Sequence, residues 1–303
     1  MNPSNHKILI LTGPTAIGKS ELSYFIRRHI GGHIISADSR QVYKEMTIGT
    51  AKPSMEEIEN NKIVCCNHVS IHHEYNAGIF ADEAMAFAKL DWTQSAYCFV
   101  SGGTGMYIKA FTEGLDDFPD IPQEIREKWN ELLSQKGIGY IQSALKDKDP
   151  QYFAEVDINN PHRLIRALTV IEYSKKSFSS FLQNHTKPSH ECFHVVLERD
   201  KDELNERINN RVLHMMDEGL LSEVEALLPY RSLKALNTVG YNEIFKYFDG
   251  EYSLDQAVER IQIHTRQYAK RQRTWQRKFN PGPRFHPDDK DKILNHIKEV
   301  LAL

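Results

Sequence analysis

The chain has 303 residues, 40% of them hydrophobic and 26% charged, with 16 glycines and 12 prolines, a usage that excludes a disordered, collagen-like or membrane-embedded chain and leaves room for more than one lobe. No run approaches the roughly 18 apolar residues of a membrane span, and the opening MNPSNHKILILTGPT carries no signal-peptide pattern, so a cytoplasmic protein is expected. The formal charge of −3 calls for no polyanionic partner by itself, and Cys65, Cys66, Cys98 and Cys192 offer neither a C-x-x-C pair nor a zinc spacing.

Lys7 to Thr12 is a short apolar run that predicts a buried parallel strand. It is followed at once by Gly13-Pro14-Thr15-Ala16-Ile17-Gly18-Lys19-Ser20 and a helical stretch over 21–30. Strand, glycine loop and helix in that order make G-x-x-x-x-G-K-S a phosphate cradle rather than a plain turn. The glycines let backbone N–H groups face an anion, the helix start adds its dipole, Lys19 brings a positive charge, and the Ser20 hydroxyl can hold Mg2+. Further strands are predicted at 33–36, 96–101 and 192–197, alternating with helices, which gives an α/β fold: a P-loop NTPase-like, doubly wound parallel sheet. The strand ending at Val100 runs into Ser101-Gly102-Gly103-Thr104-Gly105, without the acidic residue that completes a nucleotide-hydrolysing magnesium site. Such a cradle suits a leaving group better than a transferred phosphoryl group.

Residues 116–189 change texture. Pro119, Pro122, Pro150, Pro161 and Pro188 punctuate segments in which Ile125, Trp129, Leu132 and Leu133 repeat at helical spacing, so a helical insertion is expected between core segments 1–115 and 190–303. Asn160-Pro161 reads as an N-cap with proline at the first helical position, opening a helix with Arg163 and Arg166 on one side. Two long helical patterns dominate from Asp202 onward. In the second, opened by the capping box Ser253-Leu254-Asp255-Gln256, Ile261, Tyr268, Trp275 and Phe279 are expected on the core face, and Arg266, Lys270, Arg273 and Arg277 along another. From Arg260 to Arg284 there are eight cations and no acid, so the rest of the chain is acidic. A localised stripe of this kind fits a phosphate-backbone contact; a solvated helix face is the plainer alternative.

Several runs together give the chain a family resemblance. Asp38-Ser39-Arg40-Gln41-Val42-Tyr43-Lys44, Ile48-Gly49-Thr50-Ala51-Lys52-Pro53, Gly102-Gly103-Thr104-Gly105-Met106-Tyr107, Asn160-Pro161-His162-Arg163-Leu164-Ile165-Arg166-Ala167-Leu168, Val239-Gly240-Tyr241 and the run from Thr265 to Trp275 resemble the tRNA dimethylallyltransferases, the IPP transferase family, over nearly the whole chain. The resemblance implies transfer of a dimethylallyl group from dimethylallyl diphosphate to N6 of adenosine-37, next to the anticodon, with Mg2+ assisting. It implies Asp38 as general base, Thr104 beside the reacting amine, and an arginine of the Arg207/Arg211 pair at the diphosphate. It also implies anticodon-loop contacts from Asp38, Ser39, Arg40 and Gln41 and from His162, Arg163, Leu164, Ile165 and Arg166. The cationic helix would then touch tRNA phosphates.

Each residue has a plainer reading: Asp38 as a turn former, Thr104 as a turn hydroxyl, the two arginines as surface ion pairs. An adenine stacked in a loop must be flipped out to reach an enclosed electrophile, so the purine is expected from the mouth opposite the small substrate. Three features depart from the family pattern. Ser70 stands at a commonly acidic position in Asn67 to His73, Ser174-Lys175-Lys176 lacks a customary glycine, and no zinc-finger extension follows Leu303, as in the short bacterial form. The three neighbouring histidines are read as surface or tRNA-facing rather than as metal ligands. A monomer is expected. A free-adenylate isopentenyltransferase ranks second, since it needs neither insertion nor basic helix, and a P-loop nucleotide kinase ranks third.

Overall fold

The run KILILT forms β1 (Lys7–Thr12), and a computed structural model, which describes residues 6–182, 190–280 and 282–303, places it inside a six-stranded parallel sheet. The chain continues through α1 (Lys19–Ile30), β2 (Ile34–Ala37), α2 (Met55–Asn60), β3 (Ile63–Val64), α3 (Ala77–Asp91), β4 (Tyr97–Gly102) and α4 (Gly105–Glu113). The strand order is β3-β2-β4-β1-β5-β6, with β5 at Glu191–Leu197 and β6 at Arg284–Phe285. Because β1 is covered on both faces, alternate residues serve two cores: Leu9 and Leu11 join one apolar cluster, Ile8 and Ile10 the other. Register runs Thr12 opposite Gly102 on one side and Val196 on the other, and Ala37 opposite Gly102. The carboxyl ends of β2, β4 and β1 therefore stand side by side, and the loops that follow them converge on one edge of the sheet, where open α/β sheets bind ligands.

The expected strands are all present, β1 with the bounds expected and the other three shifted by a residue at one or both ends. Thus β2 begins after His33, whose ring is held by Asp91 Oδ1 at 2.7 Å, and β5 starts at Glu191. The sequence reading missed β3 and β6, two residues each and too short to show a period, and also α12 (Lys290–Leu301), which buries Ile293, Leu294, Ile297 and Leu301.

The chain separates into two compact units, Met1–Glu113 with Pro188–Leu303, and Gly114–Lys187. The second is helical: α5 (Gln123–Lys148), α6 (Pro150–Glu155) and α7 (Pro161–Ser174), with a short 3-10 turn at Phe178–Phe181. The end of the expected insertion, including Pro188 and Ser189, lies outside the described residues. Asn160 caps α7 through Arg163 N, with Pro161 at its first position. Leu164 and Ile165 are buried against Trp129, Ile141 and Leu145. Their side chains are core, which corrects the reading of these two as contacts for tRNA; His162, Arg163 and Arg166 are the exposed members, Arg166 lying over the Phe118 ring at 5.2 Å. Where the family glycine is missing, Lys175 itself takes the left-handed conformation (φ 60°), and Ser174 Oγ accepts from Lys176 N at 3.1 Å.

After β5 the larger unit continues through α8 (Lys201–Asp217), α9 (Leu220–Leu227), α10 (Tyr241–Phe248) and α11 (Leu254–Phe279) to β6 and α12. The Ser253 capping box forms in both directions, Ser253 N to Gln256 Oε1 at 2.8 Å and Gln256 N to Ser253 Oγ at 3.2 Å. The buried face of α11 is Ala257, Ile261, Ala269, Gln272 and Gln276. This corrects the expected core face, of which Ile261 alone is buried: Tyr268 is 37% exposed, and Trp275 and Phe279 are half-buried with their rings in tilted contact, centroids 4.3 Å apart. Two glutamines hold stripe positions that apolar residues were expected to fill. Among the described residues no helix is long and apolar enough to cross a membrane.

Candidate active site

The cradle folds as its glycines require, with Gly18 capping α1 at φ 106° and Ala16 also left-handed at φ 61°. It is held from behind by arginines. Arg199, 9% exposed, donates Nε to Ile17 O at 3.0 Å and ties Nη2 to Asp288 Oδ1 at 2.7 Å, with Glu203 beside Nη1. Arg207 donates Nε to Ala16 O at 2.9 Å. These bonds fix the Ile17 and Ala16 carbonyls, and the first residues of α1, Lys19 and Ser20, line the cavity. Lys19 Nζ reaches Gly13 O at 2.9 Å and Pro14 O at 2.7 Å. Burial pushes its pKa down to about 8, Asp38 opposing the fall and Arg211 adding to it. Arg211 is likewise lowered, first by burial, with Asp38 opposing and Arg207 adding.

Two cavities meet here, both within the larger unit. One of about 590 Å³ contains the cradle from Thr15 to Ser20 together with Gly103, Arg207, Arg211 and His214. The other, of about 390 Å³, is lined by Ser39, Arg40, Gly49, Asn237, Asn242 and Arg271 among others. Thr15, Asp38, Thr50, Arg211, Met215 and Tyr268 line both. A carboxylate and a guanidinium thus stand on the partition, the arrangement expected if a nucleophile and a diphosphate arrive from opposite sides.

Asp38 follows β2 and is oriented by its own turn, Oδ1 accepting from Arg40 N at 2.9 Å and Gln41 N at 3.3 Å. Thr104 lines neither cavity: its Oγ1 accepts from Ser39 N at 3.0 Å and donates to Ser39 Oγ at 3.4 Å, and its hydroxyl interacts with that of Tyr268. Arg40 donates to the carbonyls of Ala235 at 2.8 Å and Asn237 at 3.1 Å, and Gln41 Nε2 to those of Thr50 and Ala51, so both side chains hold loops of the site. The strand end expected to lack an acid does lack one: Ser101 Oγ pairs with Ser23 Oγ at 2.7 Å.

The second cavity is built by contacts the sequence reading missed. Glu223 of α9 accepts from Thr47, Ile48 and Gly49 N at 3.0, 2.7 and 3.0 Å and from the Tyr241 hydroxyl at 2.6 Å. A Cβ on Gly49 would lie 2.6 Å from the Tyr241 ring, so the Ile48-Gly49-Thr50 and Val239-Gly240-Tyr241 runs meet through a contact only glycine permits. Gln272 bridges the cradle and the Gly103 turn. Its signal was available, as a polar residue recurring on the buried stripe of an amphipathic helix.

On α11, Lys270 and Arg277 are exposed, Arg273 is half-buried, and Arg266 donates Nη1 to Asn209 Oδ1 at 2.5 Å. Arg271, exposed at the mouth of the smaller cavity, lies over the Tyr268 ring at 5.8 Å. In the Asn67 to His73 segment, Ser70 Oγ donates to Glu45 at 2.7 Å and His68 pairs with Glu83 at 2.9 Å. Among the described residues no three His, Cys, Asp or Glu side chains cluster as metal ligands. The four cysteines are free thiols, with Cys65, Cys66 and Cys98 buried.

A family profile described as IPP transferase matches residues 41–279. The chain is 44% identical over 301 residues to the tRNA dimethylallyltransferase of Christiangramia forsetii, covering 98% of this chain and 99% of that one. Among solved structures, the full-length tRNA isopentenylpyrophosphate transferase of Bacillus halodurans superposes with a TM-score of 0.73 at 28% identity, covering 98% of this chain and 97% of that one. A eukaryotic dimethylallyltransferase described as acting on tRNA gives 0.74 at 26% identity, over 89% of this chain and 70% of the other. With the cradle, the Asp38 turn and the two adjoining cavities in place, the match over most of its length means that this chain belongs to the IPP transferase family.

Proposed function

We propose that the chain transfers a dimethylallyl group from dimethylallyl diphosphate to N6 of adenosine-37 in tRNA. The observation that carries this reading is the pair of cavities sharing Asp38, Arg211 and Thr15. The diphosphate lies on the cradle amides and Lys19, and the adenine, flipped from the anticodon loop, enters by the smaller cavity. N6 attacks C1 of the allyl group, the C1–O bond breaks, and its electron pair leaves with the diphosphate. The amine's lone pair is delocalised into the ring, so attack gains from a group that takes the departing proton; Asp38, fixed by two amides, is that group. Charge grows on the leaving oxygen, and Lys19 and Arg211 stabilise it more as the bond lengthens. Arg207 shapes the cradle through Ala16 O as well as adding charge.

Mg2+ fits the donor set in a limited way. With no cluster of protein ligands among the described residues, a cation here would rest on the Ser20 hydroxyl, substrate oxygens and water, the usual habit of magnesium at phosphates. When bound it supplies neutralising charge to the diphosphate.

The exposed His162, Arg163 and Arg166 support anticodon-loop contacts by the smaller unit, and α11 supports phosphate contacts by the larger. A monomeric, cytoplasmic enzyme is part of the same proposal. A nucleotide kinase fits less well, because the end of β4 carries Ser101 where a magnesium-binding acid belongs. Incubation with unmodified tRNA, AMP, ATP and dimethylallyl diphosphate tests the reading. Prenylated tRNA is expected; prenylated AMP, or consumption of ATP with no prenyl transfer, overturns it.

A further inference from the structure

We propose that Gln272 is a positioning residue that sets the separation between the phosphate cradle and the Gly103 turn, two walls of the donor cavity, and hence where the donor's reacting carbon stands relative to the partition shared with the acceptor cavity. The inference rests on the function proposed above. Gln272 is 8% exposed on the inner face of α11. Its carboxamide is used at both ends: Oε1 accepts from Thr15 N at 2.8 Å, and Nε2 donates to Gly103 O at 3.0 Å. Thr15 lines both cavities and Gly103 the larger. One side chain therefore spans from the loop after β1 to the loop after β4.

The two partners also fix which end of the amide is which. A flipped amide would set oxygen against the Gly103 carbonyl and NH2 against the Thr15 N–H. The approach leaves no room for a side chain at the turn, since a Cβ on Gly103 would lie 2.4 Å from Nε2. One helical turn further on, Gln276, 3% exposed, donates Nε2 to Thr12 Oγ1 at 3.3 Å, at the end of β1. An apolar side chain at 272 could hold the helix down equally well, but apolar contact is non-directional and tolerates sliding, and it would leave the Thr15 N–H and the Gly103 carbonyl unpaired. Two hydrogen bonds from one planar group fix a distance. A displacement of about 1 Å at a reacting pair lowers the rate by on the order of 100-fold.

The test compares Gln272→Glu and Gln272→Met with the wild type across pH. Ionised Glu keeps the acceptor for Thr15 but turns its second oxygen on the Gly103 carbonyl, whereas protonated Glu is a donor and acceptor of the same shape as Gln. Burial and the facing Gly103 carbonyl disfavour the ionised form, while Lys19 and Arg211, which line the same cavity, and the Thr15 N–H favour it, and the proton is gained as the pH falls. The expected result is a kcat for Gln272→Glu, taken as a ratio to wild type at each pH, that is down about 10- to 100-fold at about pH 8.5 and recovers toward one near about pH 6, with tRNA affinity unchanged. Gln272→Met stays low throughout. A purely structural glutamine would lower Tm and tRNA affinity together without a proton-dependent rescue of kcat. A ratio flat across pH, or Gln272→Met turning over like wild type, overturns the inference. A wild-type chain that leaves tRNA unprenylated overturns the function instead, so the two failures are distinct.

Discussion

The two cavities of the site are built in different ways. The larger rests on a cradle supplied by eight consecutive residues, Gly13 to Ser20, braced by Arg199 and Arg207. The smaller has no contiguous motif. Its walls come from the Asp38 turn, the 49–50 loop, α8, the 237–242 segment and α11, and Glu223 holds the 47–49 amides while its carboxylate accepts the Tyr241 hydroxyl. An anion can be bound by one short piece of backbone whose amides converge; a purine presented by a larger RNA needs surfaces gathered from many elements. Lesions in the cradle should therefore act on the donor, and lesions in the partition on the chemical step.

Asp38→Asn gives the largest expected effect. The amide keeps the turn, because its oxygen can still accept from Arg40 and Gln41 N, but it takes no proton from N6. A fall in kcat of about 100- to 10,000-fold is expected with tRNA affinity nearly intact, the range for loss of a general base. Single-turnover rates with bound tRNA measure it, and a variant that turns over at the wild-type rate removes Asp38 from the proton transfer.

Lys19 tests the other cavity, through pH. Its pKa of about 8 is lowered chiefly by burial, and a bound diphosphate favours the charged form. Below about 8 the ammonium is already present, so this group gives donor affinity no pH dependence. Above it the free protein must take up a proton to bind, and affinity should fall by up to about tenfold per pH unit. Calorimetric titration with dimethylallyl diphosphate in buffers of different ionisation enthalpy should detect the uptake at about pH 9 and its loss in Lys19→Met. Donor affinity constant from pH 7 to 9.5 would count against Lys19 as the diphosphate's partner.

How far each region can be read from sequence follows from the same contrast. The cradle, the four longer strands, the α7 cap and the Ser253 capping box are legible because local residues decide them. Leu164 and Ile165 are misread, because a resemblance names a segment, while helical geometry decides which of its side chains face outward; here the two buried residues are flanked by exposed Arg163 and Arg166. Tyr268 is misread for the converse reason. An aromatic on a helix suggests core, yet this one borders both cavities, and the buried stripe passes through Gln272 and Gln276 instead. Glu223 is invisible in sequence because its partners are backbone amides of a loop far away in the chain.

The smallest effects are expected on α11, where the structure divides a stripe that the sequence treats as uniform. Lys270 and Arg277 are exposed, so each that meets a phosphate releases a counterion on binding, and its replacement by Gln should flatten the dependence of log K on log salt by about 0.7 to 0.9. Arg266 differs because Asn209 already holds its guanidinium at 2.5 Å, tying α11 to α8. Arg266→Gln should weaken that tie and shift tRNA affinity with little change in slope, whereas Lys270→Gln with Arg277→Gln should change slope and affinity together. Salt titrations of tRNA binding separate the two. Equal slopes for the wild type and the Lys270/Arg277 double variant would return these cations to the status of a solvated helix face and leave tRNA recognition to the cavity mouth and the exposed face of α7.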